Sequence, residues 1–132
     1  MSSLLSNATQ RAIRRIVGSD TFEILIEAVV DQVYKLSLAL PVGFKVLSIT
    51  SKTDSGTCTL DVQKVSPLGV ETSIAGLSAV AATSTKATAV PTFNGTEVCA
   101  QGDGLQVEVS ANAAAVNLSI TIKASRQNGN GD

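Results

Sequence analysis

Histidine and tryptophan are both missing from this chain of 132 residues. Without histidine, neither a Ser-His-Asp arrangement nor a histidine metal site can form within it, and the commonest general base is gone. Aromatic residues make up only 3%, so the interior must be built from Val, Leu, Ile and Ala, and few rings are left on which a sugar would stack. Charge is scarce as well, at 16% with a net charge of -1, against about a quarter in an average chain. Proteins are drawn to nucleic acid chiefly through clustered Lys and Arg, so no nucleic-acid partner is expected. No apolar run approaches the ~20 residues needed to cross a bilayer, so no membrane partner is expected either. Met1 to Leu5 is followed by Arg11, Arg14 and Arg15 where the apolar region of a secretory signal would lie.

Two further absences narrow the chemistry. Neither a phosphate-cradling Gly-x-x-x-x-Gly-Lys-Ser/Thr nor a dinucleotide Gly-x-Gly-x-x-Gly occurs. The only cysteines, Cys58 and Cys99, lack the close pairing of a zinc site or a redox motif. They are expected to be buried free thiols, a disulfide being the alternative in an oxidising medium. No cofactor, no metal and no catalytic residue is therefore expected. Glu23 and Glu27 share a face of a presumed strand with Asp31 nearby, but paired acids on a surface strand are ordinarily solvated. Gly102-Asp103-Gly104 lacks the repeated acidic positions of a calcium loop and reads as turn chemistry. The sequon matches at Asn7, Asn94 and Asn117 are read as chance.

What the chain does have is alternation. In Leu105 to Val109 and again in Val116 to Lys123 every second residue is apolar and every intervening one polar, the period of a strand with one buried face. Phe22, Ile24, Ile26 and Ala28 repeat the pattern, Tyr34, Leu36, Leu38 and Leu40 form a second inward row, and Cys58, Leu60 and Val62 a third. Pro41-Val42-Gly43, Lys52 to Gly56 and Ser66-Pro67-Leu68-Gly69 supply turns. Ala75 to Val90 is poor in large side chains and is expected to give an edge strand near Thr83 to Val90. Pro91 to Gly104, with Asn94-Gly95, forms a long connection of a length that is often functional. Together these predict an all-β protein: an antiparallel two-sheet sandwich of jelly-roll type with about eight strands. One domain is expected, over residues 21–126, preceded by an arm at 1–20 and followed by a disordered tail at 127–132.

The arm is predicted to be a short helix over residues 3–17, since Leu4, Leu5, Ala8, Ala12 and Ile16 fall on one arc at the helical period. Gly18 would end it, with arginines in its last turns. So short a helix needs a surface to dock on, either its own domain or a neighbouring subunit.

Lys45 to Thr57, with its Lys52-Thr53-Asp54-Ser55-Gly56 turn, and Ala100 to Leu105 running on through Thr121 to Arg126, resemble small structural proteins of tailed bacteriophages. These are the β-sandwich modules of capsid decoration (cement) proteins and of head or tail fibres. The resemblance spans residues 40 to 126. It implies a non-enzymatic virion protein, a homotrimer on the outside of the head that binds the major capsid protein or another virion protein. It also implies assembly in the host cytoplasm. On that reading Leu4, Leu5, Arg11, Arg14, Arg15 and Ile16 are partner-docking residues, and Phe22, Ile24 and Ile26 extend the docking edge by strand addition. A fibre, collar or baseplate component of the tail is the rival within the class. A carbohydrate-binding module is the rival outside it.

Overall fold

The computed structural model describes residues 12–16 and 21–127, and every strand pairing in it is antiparallel. Ten strands follow one another: β1 (Ala12–Ile16), β2 (Thr21–Ala28), β3 (Gln32–Ser37), β4 (Gly43–Lys52), β5 (Ser55–Val65), β6 (Glu71–Ser73), β7 (Val80–Ala82), β8 (Ala87–Ala89), β9 (Val98–Cys99) and β10 (Gly104–Gln127). The expected all-β sandwich of jelly-roll type is what the chain forms, with ten described strands rather than eight.

The two layers share one strand. The first part of β10 pairs with β3 and β5, as Val107 opposite Tyr34 and Val62. Its second part pairs with β2 and β4, as Ile122 opposite Phe22 and Ile49. One layer is thus β3, β10, β5 and then β6 and β7, and the other is β1, β2, β10, β4 and then β8 and β9. Two final strands joined through Ser110 to Ala115 were expected. The chain instead runs on as one bent strand, with register shifts between Ser110 and Ala113 and between Ala113 and Val116. The bend uses left-handed backbone at Ala111, Ala114 and Asn117, a conformation that asparagine adopts more readily than most residues and that strains an alanine.

Alternation places the core. Phe22, Ile24 and Ile26 of β2, Val46 and Ile49 of β4, Cys58, Leu60 and Val62 of β5, and Leu105, Val107, Val109, Leu118, Ile120 and Ile122 of β10 are all buried between the layers. Phe22 and Phe44 meet edge to face with ring centroids 5.2 Å apart. The β3 row ends sooner than its alternation predicts. Tyr34 and Leu40 are buried, but β3 ends at Ser37 and Leu38 stands in the following connection, 79% exposed.

The predicted helix over residues 3–17 is corrected where the structure describes it, at residues 12–16. Residues 12–16 form β1, paired along β2 from Ala12 opposite Ile26 to Ile16 opposite Phe22. The physical reason is the free edge of β2: its unpaired backbone groups take up a neighbouring segment containing β-branched Ile13 and Ile16, which outweighs a weak helical arc. The rest of the arm, residues 1–11 and 17–20, and the tail at 128–132 lie outside the described residues.

Candidate functional site

One end of the sandwich, where β3 and β5 finish and β4 and β10 begin, is made of three connections packed together. Leu40 N donates to Asp103 O at 2.7 Å and Gly102 N to Leu40 O at 2.9 Å, tying residues 38–42 to residues 100–104. Gly104 lies so close to Ser37 and Leu38 that an added Cβ would stand 3.1 Å from either carbonyl oxygen. Pro67 closes the third side, its Cγ 3.9 Å from where a Cβ of Gly102 would be. The β5–β6 turn is held by Ser66 N donating to Val70 O at 2.9 Å and Gly69 N to Ser66 O at 2.8 Å. This frame carries apolar side chains outward: Leu68 is 92% exposed, Leu38 79% and Val70 60%. Large aliphatic groups held out to solvent on hydrogen-bonded loops at one end of a fold are a candidate protein-docking surface.

Asp103 itself is a turn residue, as its sequence context suggested. Its Oδ2 accepts from Ala100 N at 2.9 Å, and its own N–H donates to Ala100 O at 3.0 Å. Among the described residues no group of three or more His, Cys, Asp or Glu is arranged to hold a metal ion.

A second feature lies on the outer face of the β3–β10–β5–β6 layer. Gln106 and Gln63 face outward by alternation, yet they are only 2% and 6% exposed. Gln106 Nε2 donates to Gln63 Oε1 and, at 3.1 Å, to Glu71 Oε2. Gln63 Nε2 donates to Asp61 Oδ2 at 2.9 Å and to Glu108 Oε1 at 3.2 Å, and Ser73 Oγ donates to the same Asp61 oxygen at 3.0 Å. Each amide nitrogen has two hydrogens, and all four are used. The network is closed on the donor side; Asp61 Oδ1 is its one buried acceptor with no partner.

The aromatic residues are almost all internal. Phe22, Phe44 and Tyr34 are buried, and the Tyr34 hydroxyl donates back to Val30 O at 3.3 Å. Only Phe93, 47% exposed, reaches solvent, and Lys45 Nζ sits 5.5 Å from its ring centroid.

The docking residues read from the sequence separate under this geometry. Leu4, Leu5 and Arg11 lie outside the described residues. Arg14, Arg15 and Ile16 fall on β1, at the register of Ile24, Glu23 and Phe22. Phe22, Ile24 and Ile26 are a correction: their side chains are core, and the β2 edge they were to offer is already paired with β1. Glu23 and Glu27 flank Leu25 on the outer face of β2, half-buried and with partners of their own. Leu68 and Leu38 were missed as surface residues. For Leu68 the available signal was an apolar residue at the tip of a Pro-x-Gly turn, where burial is hardest to achieve.

Both cysteines are free and buried, as expected. Burial pushes the Cys99 thiol up from 9.0 to about 11, with Lys64 opposing and Asp103 adding to the rise. Burial, then the Asp31 charge, pushes Cys58 up as well.

The class that this geometry defines is an antiparallel β-sandwich with a polar, closed outer face and an apolar end. No family model matches the chain, and no characterised protein matches it in sequence. Among solved structures it is similar to a protein described as "CBM4 structure and function", at 14% identity and a TM-score of 0.40, covering 96% of this chain and 84% of that one. The CBM22-1 xylan-binding domain from Paenibacillus barcinonensis Xyn10C is similar at 11% identity and a TM-score of 0.40, covering 94% and 84%. A chain of the infectious bursal disease virus Gt strain is similar at 14% identity and a TM-score of 0.38, covering 88% of this chain and 32% of that one. Likenesses at these scores carry no argument about what this chain binds.

Proposed function

We propose that this protein is a non-enzymatic structural module of a bacteriophage particle, a decoration protein that sits as a homotrimer on the outside of the head and stabilises the shell. The observation that carries the reading is the apolar end. Leu38 stands on the β3–β4 connection and Leu68 and Val70 on the β5–β6 connection, both fixed by backbone hydrogen bonds, a pre-formed contact that loses little entropy on docking. The partner is the major capsid protein. Covering this end removes apolar surface from water at about 25 cal/mol per Å², a gain repeated at every copy around a shell.

The carbohydrate-binding reading has less behind it. Three of the four aromatic rings are in the core, and the buried amides of the outer face have no hydrogen left to donate. A sugar would find one half-exposed Phe93 to stack on.

Heads of the particle whose genome encodes this chain, prepared without it, provide the test. Adding the purified protein raises the temperature at which the heads rupture and release their contents. An unchanged rupture temperature with saturating protein contradicts the proposal.

A further inference from the structure

The connection from β8 to β9 carries Asn94-Gly95-Thr96-Glu97, and its polar contacts are unusually directed. Asn94 and Gly95 are exposed, Gly95 has φ +108°, and nothing lies within 4 Å of the place where its Cβ would be. The side-chain carbonyl of Asn94 accepts two hydrogen bonds from Thr96, one from N at 3.1 Å and one from Oγ1 at 2.8 Å. The N–H of Gly95 donates to Glu97 Oε1 at 2.9 Å, and Glu97 is only 4% exposed. Thr96 Oγ1 is fixed in turn, accepting from Ala75 N at 2.9 Å.

We propose that Asn94–Gly95 is a self-modifying site, at which the folded chain converts asparagine to aspartate and isoaspartate. The nucleophile is the Gly95 nitrogen and the electrophile is the Asn94 Cγ. Two donors already on Oδ1 draw electron density from that carbon and are placed to hold the oxyanion that forms there. Glu97 Oε1 sits within the reach required of a general base for the Gly95 proton. As the N–Cγ bond forms, the proton leaves Gly95 for the carboxylate. The bond from Cγ to Nδ2 breaks and ammonia departs, its third proton replacing the one taken from Gly95. The resulting five-membered imide is opened by one water at either carbonyl, giving aspartate or isoaspartate, so the sum is one water consumed and one ammonia released. Glycine is required at the second position because a side chain there would crowd the closing ring and resist φ +108°.

The change has a structural consequence. Isoaspartate adds a methylene to the main chain and shortens the side chain three residues before Glu97, whose carbonyl accepts from Val46 N at 2.9 Å. Modification therefore loosens the seat of β9 on β4, on a time scale set by the chemistry and without any enzyme.

The full-length protein is aged in mildly alkaline buffer made with heavy-oxygen water, and peptide mapping reads acid formation at position 94. The references are the same chain in denaturant and a synthetic peptide of residues 91–98. The folded chain modifies Asn94 about tenfold faster than either reference, below the roughly hundredfold of a well-aligned base. Glu97→Gln keeps an acceptor for Gly95 N–H but lacks basicity, and it falls to the reference rate. Thr96→Val falls part of the way. Circular dichroism shows each variant folded. A folded rate at or below that of the references, or an unchanged rate in folded Glu97→Gln, overturns the proposal.

Discussion

Gly56 shows how a single residue sets the bend of the sandwich. Its φ is +74°, and an added Cβ would fall 2.2 Å from the carbonyl oxygen of Ala114, a backbone atom on the bent strand that cannot step aside. Gly56→Ala is expected to cost about 3 kcal/mol or more, in the upper range for single substitutions, as read by urea unfolding. The opposite change is expected at Ala114, which is exposed at φ 58°. Ala114→Gly relieves a left-handed strain of about 1–2 kcal/mol against a glycine entropy cost of about 0.5–1 kcal/mol, so the protein gains slightly in stability. Gln106→Ala leaves Gln63 Oε1 without its donor and is expected to cost about 2 kcal/mol, whereas Gln101→Ala, on an exposed turn, stays within about 0.5 kcal/mol. Cys99 gives a pH dependence of definite sign. Between 9.0 and about 11 the unfolded chain has released the thiol proton and the folded chain still holds it. Stability therefore falls as pH rises through that window, by at most about 1.4 kcal/mol per unit. The slope is expected to flatten in Cys99→Ala.

At the scale of elements, most of the sandwich was legible because burial follows a period of two. The inward rows of β2, β5 and β10 could be read residue by residue: their alternating apolar side chains are core except at Ala28 and Val116, which face each other across β2 and β10 and are exposed. Two readings failed where local pattern and tertiary pairing compete. Ala12 to Ile16 carries a helical arc, yet the edge of β2 lies a few residues away in sequence and recruits it as β1; pairing energy of that kind has no local signature. Leu38 continues the alternation of β3 by spacing alone, but Pro41 and the tie from Leu40 to Asp103 turn the chain away before the row is complete. The outer-face glutamines were illegible for a related reason. Their burial depends on three strands, β10, β5 and β6, laying polar side chains over one another, and only the register reveals that. The pairing of β1 changes what a truncation should do. Deleting residues 1–20 strips β2 of its partner and exposes a long edge, and aggregation is expected in size-exclusion chromatography. Deleting residues 1–11 keeps β1, and a soluble, folded protein is expected. If both deletions behave alike, the β1–β2 pairing does not protect the edge.

The whole molecule has two unlike ends. At one, Asn112 binds Val29 O and Asp31, and Asn117 Nδ2 donates to Asp54, so the corner of β10 is tied down by polar contacts. Residue 12 begins β1 at that same end, opposite Ile26. At the other end Leu38, Leu68 and Val70 face solvent. A module whose most exposed aliphatic side chains, Leu68 and Leu38, stand at one end has a preferred orientation on a surface, and the proposed trimer would set three such ends side by side. Light scattering on the purified protein is expected to give three times 13.5 kDa, and a monodisperse monomer would remove the trimer from the proposal. The central claim is docking through the apolar end, and co-sedimentation with heads lacking this protein tests it most directly. Wild type is expected to saturate the heads. The double variant Leu38→Ser, Leu68→Ser, whose substitutions lie on exposed loops and leave the unfolding midpoint unchanged, is expected to stay in the supernatant. Equal binding of the two proteins, or no binding of wild type, would contradict it.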